Sequence, residues 1–314
     1  MSPKKMLSLD ELSALCGLSR DVLSAKIGRE SLSRFSNGRL GVSPSIVHEF
    51  LASTGYSFAA HTVAFVNLKG GIGKTTSAVT CAARAAQYGF NTCLLDVDPQ
   101  ASATLAFDCV PSADAPLFYD LWQEPDGVLE HALVQVLPHM ALLPSALENG
   151  LLETSLADPD LQRIAVRGVC AALEEMGYDL MLVDCPPSLG TATISAICAA
   201  DTVVIPVACE TYSLNALALT LGEIRAIRDN YRLQQPRLLI LVSRFDRRER
   251  ASRELLDQLI LDYPDTIVRE PIRVSTEFNK ALAKRETVFA NNRNTGAKRD
   301  YDHFVKVLLN LEFT

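Results

Sequence analysis

Two lysines bracket the glycines of Lys69-Gly70-Gly71-Ile72-Gly73-Lys74-Thr75-Thr76, where a phosphate-binding loop needs only the second. Gly70, Gly71 and Gly73 let backbone N–H groups close around phosphate oxygens, and a helix start adds its partial positive charge. Lys74 is spaced to reach the β- and γ-phosphates of a nucleoside triphosphate and the Thr75 hydroxyl to ligate Mg²⁺, with Thr76 in the same turn. The usual pattern has glycine five positions before Gly73; here that position is Leu68, followed by the extra cation Lys69. Two acidic segments complete the set. Leu94-Leu95-Asp96-Val97-Asp98-Pro99-Gln100 ends an apolar run with two carboxylates, one able to assist Mg²⁺ and the other to orient an attacking water. Met181-Leu182-Val183-Asp184 has the form of a Walker B strand, whose aspartate is expected to hold Mg²⁺ through water, since that ion keeps much of its hydration. Phosphoryl transfer is mostly positioning and charge stabilisation, so lysines, a metal ion and a water-orienting carboxylate are its main parts.

Such side chains act together only if the chain carries them to one place. The loop follows the apolar run Thr62-Val63-Ala64-Phe65-Val66-Asn67 and opens into a helical pattern from Thr75 to Tyr88. Further strands are expected at 92–97, 138–143, 179–184, 201–207, 237–243 and 266–270, with helices at 161–176, 190–199, 213–230, 251–261 and 299–311. Several of the strands are continuous apolar runs, as in a parallel sheet covered on both faces. The alternation specifies an α/β fold: a doubly wound, mostly parallel sheet of the P-loop NTPase kind, with ligands at the carboxyl ends of the strands.

Residues 1–57 read as a separate unit ahead of an ATPase domain at 62–314. Ser8-Leu9-Asp10-Glu11 fits a capping box, and Leu9, Leu12 and Leu15 form the stripe of a short helix. Cys16-Gly17-Leu18 breaks it, and Ser19 caps a second helix to about Ile27. Asn37-Gly38 suits the tip of a type I′ hairpin. A third helix starts at Ser43-Pro44. This small helical unit resembles the winged helix-turn-helix part of MerR-type regulators. Its seven Lys/Arg (Lys4, Lys5, Arg20, Lys26, Arg29, Arg34, Arg39) against five Asp/Glu suit either specific DNA binding or docking. Gly55 to His61 reads as a short linker.

The chain has 314 residues and a net charge of −7, enough for one large domain and a small one. No apolar run approaches a membrane span, and no signal-peptide core follows Met1, so a cytoplasmic location is expected. The eight cysteines form no Cys-x-x-Cys pair and read as reduced core residues. From Arg225 to Arg253 nine arginines (225, 228, 232, 237, 244, 247, 248, 250, 253) face only Asp229, Asp246 and Glu249. Such a segment binds a polyanion or forms solvated, ion-paired helix faces.

Four segments carry a family resemblance: the loop with Lys69, Leu95-Asp96-Val97-Asp98-Pro99-Gln100, Asp184-Cys185-Pro186-Pro187-Ser188-Leu189-Gly190, and Ala200-Asp201-Thr202-Val203-Val204-Ile205-Pro206-Val207. With them, residues 62–290 resemble the ParA/Soj branch of the ParA–MinD ATPases, which have a deviant Walker A loop. The resemblance implies ATP and Mg²⁺ as cofactors and a homodimer closed by ATP. Lys69 then corresponds to the signature lysine that reaches the partner's phosphates, Asp98 to the residue that orients the hydrolytic water, and Asp96 to one near Mg²⁺. Pro271 and Arg273 fall in a segment loosely similar to the family's adenine-side loop. The resemblance further implies non-specific binding to nucleoid DNA, with Arg225, Arg247 and Arg248 as candidates, and weak ATP hydrolysis stimulated by a ParB-like or other adaptor, to position a plasmid, chromosome or protein cargo. Two alternatives stay open: an ATP-switched regulator or autorepressor acting through the N-terminal unit, and a MinD-like membrane-cycling ATPase. The latter would need a basic amphipathic C-terminal helix; the helix expected at the C-terminus is amphipathic but not basic, which favours no membrane partner.

Overall fold

The computed structural model describes residues 6–35, 37–210, 213–291 and 293–311. Its strands are β1 Leu7–Ser8, β2 Ser33–Arg34, β3 Leu40–Val42, β4 His61–Phe65, β5 Thr92–Asp96, β6 Val134–Leu137, β7 Met140–Leu143, β8 Leu180–Asp184, β9 Thr202–Ala208, β10 Arg237–Ser243 and β11 Ile267–Val268. Eight of them form one sheet in the order β11-β10-β9-β4-β8-β5-β7-β6. Every pairing in it is parallel except β6 with β7. Alternate residues feed two cores: Val63, Phe65, Leu94 and Leu182 face one, Ala64, Cys93, Leu95 and Val183 the other. The doubly wound, mostly parallel sheet is therefore present, with β6 as an added antiparallel edge whose half-exposed residues give no continuous apolar run.

β4 lies between β9 and β8, so the chain leaving its carboxyl end emerges at the point where strand order reverses. Pro206 is tolerated in β9 because β4 pairs with that strand only as far as Val204. Its carbonyl accepts Asn67 Nδ2 at 2.7 Å, and the Asn67 side chain in turn accepts the Lys69 N–H at 3.0 Å. The strand end thus fixes the loop that follows.

That loop starts the helix Lys74–Gln87, almost wholly buried and rich in alanine and other small residues. Small side chains let it pack at once against the sheet, the C-terminal helix Gly296–Leu308 and the N-terminal elements. The C-terminal helix begins three residues earlier than expected, at Gly296, because the Thr295 hydroxyl caps it by accepting the Lys298 N–H. It buries Tyr301, Phe304, Val305 and Leu308. No helix among the described residues is long and apolar enough to cross a membrane.

The N-terminal elements are helices Leu9–Cys16, Arg20–Ile27 and Pro44–Ser53 and a small sheet, β1-β3-β2. The capping box forms: Glu11 N–H donates to Ser8 Oγ at 3.2 Å and Ser8 N–H to Glu11 Oε2 at 3.0 Å. Gly17, at φ +66°, ends the first helix. The hairpin loop is one residue longer than the expected two-residue tip, since Phe35 N–H donates to Arg39 O with Gly38 at φ +81°; Ser36 lies outside the described residues. A glycine in that conformation ending a three-residue loop is the next most favourable hairpin closure.

These elements share one apolar core with the helix Lys74–Gln87. The segment expected as a linker is packed: Phe58 stacks on His48 at 3.9 Å between ring centres and meets Phe90 edge-on at 4.8 Å, and Tyr56 donates to Leu309 O at 2.6 Å. Gly89 explains how close the approach is. A Cβ there would lie 2.6 Å from His48 N and 2.8 Å from Pro44 O, so only glycine admits the helix Pro44–Ser53.

Candidate nucleotide site

The phosphate loop is shaped by its glycines and anchored by a neighbouring strand. Gly71 and Gly73 take φ values of +72° and +97°, a conformation that glycine adopts without strain. Ser243 at the end of β10 donates to Ile72 O at 2.7 Å and pins the loop from the far side. Gly73 is the N-cap residue of the helix Lys74–Gln87, and no side chain caps that helix start. Its first N–H groups are left for a ligand acceptor. The loop forms one wall of a cleft of ≈ 710 Å³ that Gly70, Gly71, Gly73, Lys74, Thr75 and Thr76 all line. Lys74 is buried and donates to Lys69 O at 3.3 Å. Burial pushes its pKa down, and the negative charges of Asp184 and then Asp98 oppose that.

Asp184 ends β8 directly beside Asp96 at the end of β5. It is fully buried, and neither carboxylate oxygen has a hydrogen-bond partner. Burial and the adjacent Asp96 push its pKa well up; nearby Thr75 and Lys74 only partly offset them. An acid so placed is stable ionised only beside a cation. Among the described residues no group of three or more His, Cys, Asp or Glu side chains could cage a metal alone. The donors present, Asp184 and the Thr75 hydroxyl, nevertheless fit Mg²⁺, which is bound by one or two protein oxygens with phosphates and water.

Asp96, expected near the metal, is already engaged. One of its oxygens accepts both the N–H and the hydroxyl of Thr104, each at 2.8 Å, and the other accepts the Asp98 N–H at 3.3 Å. Its pKa is nonetheless pushed up to about 6, by burial first, and the Thr104 hydrogen bonds work against that. Asp96 therefore braces the turn that presents Asp98, while the open oxygens belong to Asp184. Asp98 does line the cleft and accepts the Gln100 N–H at 2.9 Å.

Lys69 does not line this cleft. Its ammonium touches the Glu210 carboxylate, and the two side chains are 40% and 42% exposed. The far end of the cleft also departs from expectation. Pro271 is absent from its lining, and Arg273 lines it with its charge committed: the guanidinium grips both Asp300 oxygens at 2.5 and 2.9 Å, bracing the C-terminal helix. The apolar lining there comes instead from Ile272, Phe278, Leu282 and Val288. The short helix Thr276–Leu282 that supplies two of these was not anticipated, although Ser275 Oγ accepting the Glu277 N–H marks its start.

The basic segment divides. Arg225 and Arg247 are exposed. Arg248 is exposed but forks onto Asp246, with Nη2 to Oδ2 at 2.6 Å. Arg228 is buried and caps a helix end by donating to Cys198 O and Ala200 O. Arg237 donates to the carbonyls of Val307 and Leu308.

A parallel sheet with a glycine-lysine phosphate loop at its reversal point and a buried aspartate on the neighbouring strand defines a P-loop nucleotide hydrolase fold. A family model described as an AAA domain matches residues 60–237. The chromosome-partitioning ATPase Soj of Thermus thermophilus is 33% identical over 234 residues, 71% of this chain and 87% of that protein. The sporulation initiation inhibitor protein Soj of Bacillus subtilis is 26% identical over 237 residues, 75% of this chain and 93% of that one. Among solved structures, cobyrinic acid a,c-diamide synthase of Mycobacterium smegmatis with bound ADP and magnesium matches at a TM-score of 0.66 and 25% identity, covering 80% of this chain and 94% of that one. The McdA–ATP complex of Cyanothece superposes at a TM-score of 0.72 over 81% of this chain and 98% of that one, and its 21% identity speaks for the fold alone. The chain belongs to the ParA/Soj-type partitioning ATPases of the ParA–MinD family.

Proposed function

We propose that the protein binds Mg²⁺·ATP, dimerises when it does so, associates with DNA without sequence preference, and hydrolyses ATP slowly until an adaptor stimulates it, so positioning a cargo along DNA in the cytoplasm. The observation that carries the nucleotide part is the buried, unpartnered Asp184 behind an uncapped phosphate loop. Lys74 and the loop N–H groups would hold the phosphates in line. Asp98, facing the cleft with one oxygen fixed by Gln100, would orient water toward the terminal phosphorus; the bond to the ADP oxygen breaks, and ADP and phosphate leave. Thr75 and Asp184 would hold Mg²⁺, which would supply charge neutralisation. Lys69 outside its own cleft supports action in trans, where its charge counts only once a second copy closes on it. Arg225 and Arg247 are the exposed cations offered to DNA phosphates.

Light scattering with Mg²⁺·ATP, followed by DNA binding at low and high salt, tests this reading. Lys69→Ala should bind ATP as a monomer yet fail to dimerise or to hydrolyse. Replacing Arg225 and Arg247 by Glu should weaken binding to any DNA sequence. A Lys69→Ala protein that dimerises and turns over ATP normally would overturn the trans assignment. The exposed Lys26, Arg29, Arg34 and Arg39 of the N-terminal unit favour a second, compatible reading, contact with a specific operator. A footprint lost when these four are replaced supports it, and an unchanged footprint excludes it.

A further inference from the structure

Among the described residues, three cationic side chains line the cleft: Lys74, Arg244 and Arg273. Two are already answered. Lys74 faces the Asp184 and Asp98 charges, and Arg273 is forked onto Asp300. Arg244 is the lining cation without a close partner. Its side chain is 59% exposed and its Nη1 reaches Glu210 only at 3.5 Å, a carboxylate it shares with Lys69. The same Nη1 is 3.5 Å from Gly71 O on the phosphate loop, and the preceding residue, Ser243, is the one that pins that loop. The Arg244 backbone sits at φ +54°. Of the seven non-glycine residues with positive φ among the described residues, it alone lines the cleft. Such a conformation is costly for arginine, persists only where the surroundings enforce it, and clusters at functional sites.

We infer that Arg244 is a further nucleotide-binding residue, which swings from its loose contact with Glu210 onto the polyphosphate held by the loop of the same subunit. The inference rests on the reading of this cleft as the nucleotide site. A triphosphate brings several negative charges into a pocket whose other cations already face carboxylates, and a planar guanidinium at the loop rim supplies two forked donors to phosphate oxygens. Glu210 holds the side chain near the rim when no nucleotide is bound, and an exposed pair of this kind is weak enough to exchange.

The test is isothermal titration of Mg²⁺·ATP, Mg²⁺·ADP and AMP into the full chain and its Arg244→Gly, Arg244→Lys and Lys74→Ala variants. Glycine suits φ +54°, so Arg244→Gly keeps the fold and should melt no lower than the parent. It should bind ATP and ADP about tenfold more weakly, with AMP little changed, and Arg244→Lys should recover part of the loss. Arg244→Gly binding ATP as tightly as the parent, while Lys74→Ala loses it, would overturn the inference and leave the site intact. An equal loss for AMP would overturn the polyphosphate assignment. Normal ATP binding by Lys74→Ala would instead overturn the nucleotide site itself, and the inference with it.

Discussion

At its first turn the helix Lys74–Gln87 begins on a glycine with no capping side chain, beside a buried aspartate whose oxygens lack partners. About three turns later the same helix carries Arg84, equally buried and fully engaged. Arg84 pairs with Asp302 and with Glu11 at 3.0 Å, and donates to Gln87 Oε1 at 2.7 Å; Lys298 backs Glu11 and Lys306 backs Asp302. Both ends place charge in the interior, where unpaired charge is expensive. One end completes its pairings within the chain, and the other leaves its own open. The satisfied end joins two elements, since Glu11 caps the first N-terminal helix and Asp302 lies on the C-terminal one.

The largest effect should come from breaking the satisfied end. Arg84→Met leaves Glu11 and Asp302 half-covered without their shared cation and should cost about 3 kcal/mol. Urea unfolding of the ligand-free protein measures it, and a loss well under 1 kcal/mol would mean the network is ornamental.

The two ends should also answer pH in opposite senses. Folding raises Asp96 from its ordinary 3.8 to about 6, and Asp184 is raised as well. An acid raised by folding takes up its proton first in the folded state. Ligand-free stability should therefore rise by about 2–3 kcal/mol as pH falls from above 6 toward 4. At the other end burial raises Glu11, but Arg84, Lys298 and the Ser8 hydrogen bonds outweigh it and hold it at about 2, below its ordinary 4.5; Asp302 is lowered too. Their contribution is complete above the unfolded values and is lost as pH falls from about 4.5 toward 2. Denaturation from pH 7 to pH 3 should show a rise followed by a fall, and a steady decline would contradict the contrast.

A smaller effect belongs to Glu11→Gln, which keeps the size of the side chain and leaves Arg84 its Asp302 partner. It should cost about 1–2 kcal/mol and loosen the N-terminal elements first, as read by hydrogen exchange in residues 9–16 against the sheet. Uniform exchange in both would show that the N-terminal elements are not held through this contact.

The sequence already announces much of the ligand end, because its chemistry is local. The glycines and Lys74 sit within one loop, Asp98 and Asp184 each end an apolar run, and the mostly parallel sheet follows from the alternation of strands with helices. What it hides is non-local. Asp96 reads as a free carboxylate until Thr104, eight residues on, is seen to donate twice to one of its oxygens. Arg228 and Arg237 count as surface charge until they are found capping carbonyls from other elements. The wall of the cleft at Phe278 and Leu282 is a seven-residue helix, too short to show a periodic stripe. The docking of the N-terminal unit depends on Gly89, whose missing side chain matters only once His48 and Pro44 are brought against it.

The most direct test compares the stability of the parent and Asp184→Asn, each with and without Mg²⁺·ATP. If Asp184 is a buried acid awaiting a cation, the neutral amide should stabilise the ligand-free protein by about 1–2 kcal/mol near pH 7.5. It should also remove most of the stabilisation that Mg²⁺·ATP, but not ATP with chelator, gives the parent. An Asp184→Asn protein that is less stable without ligand, and gains as much from Mg²⁺·ATP as the parent does, would contradict the account.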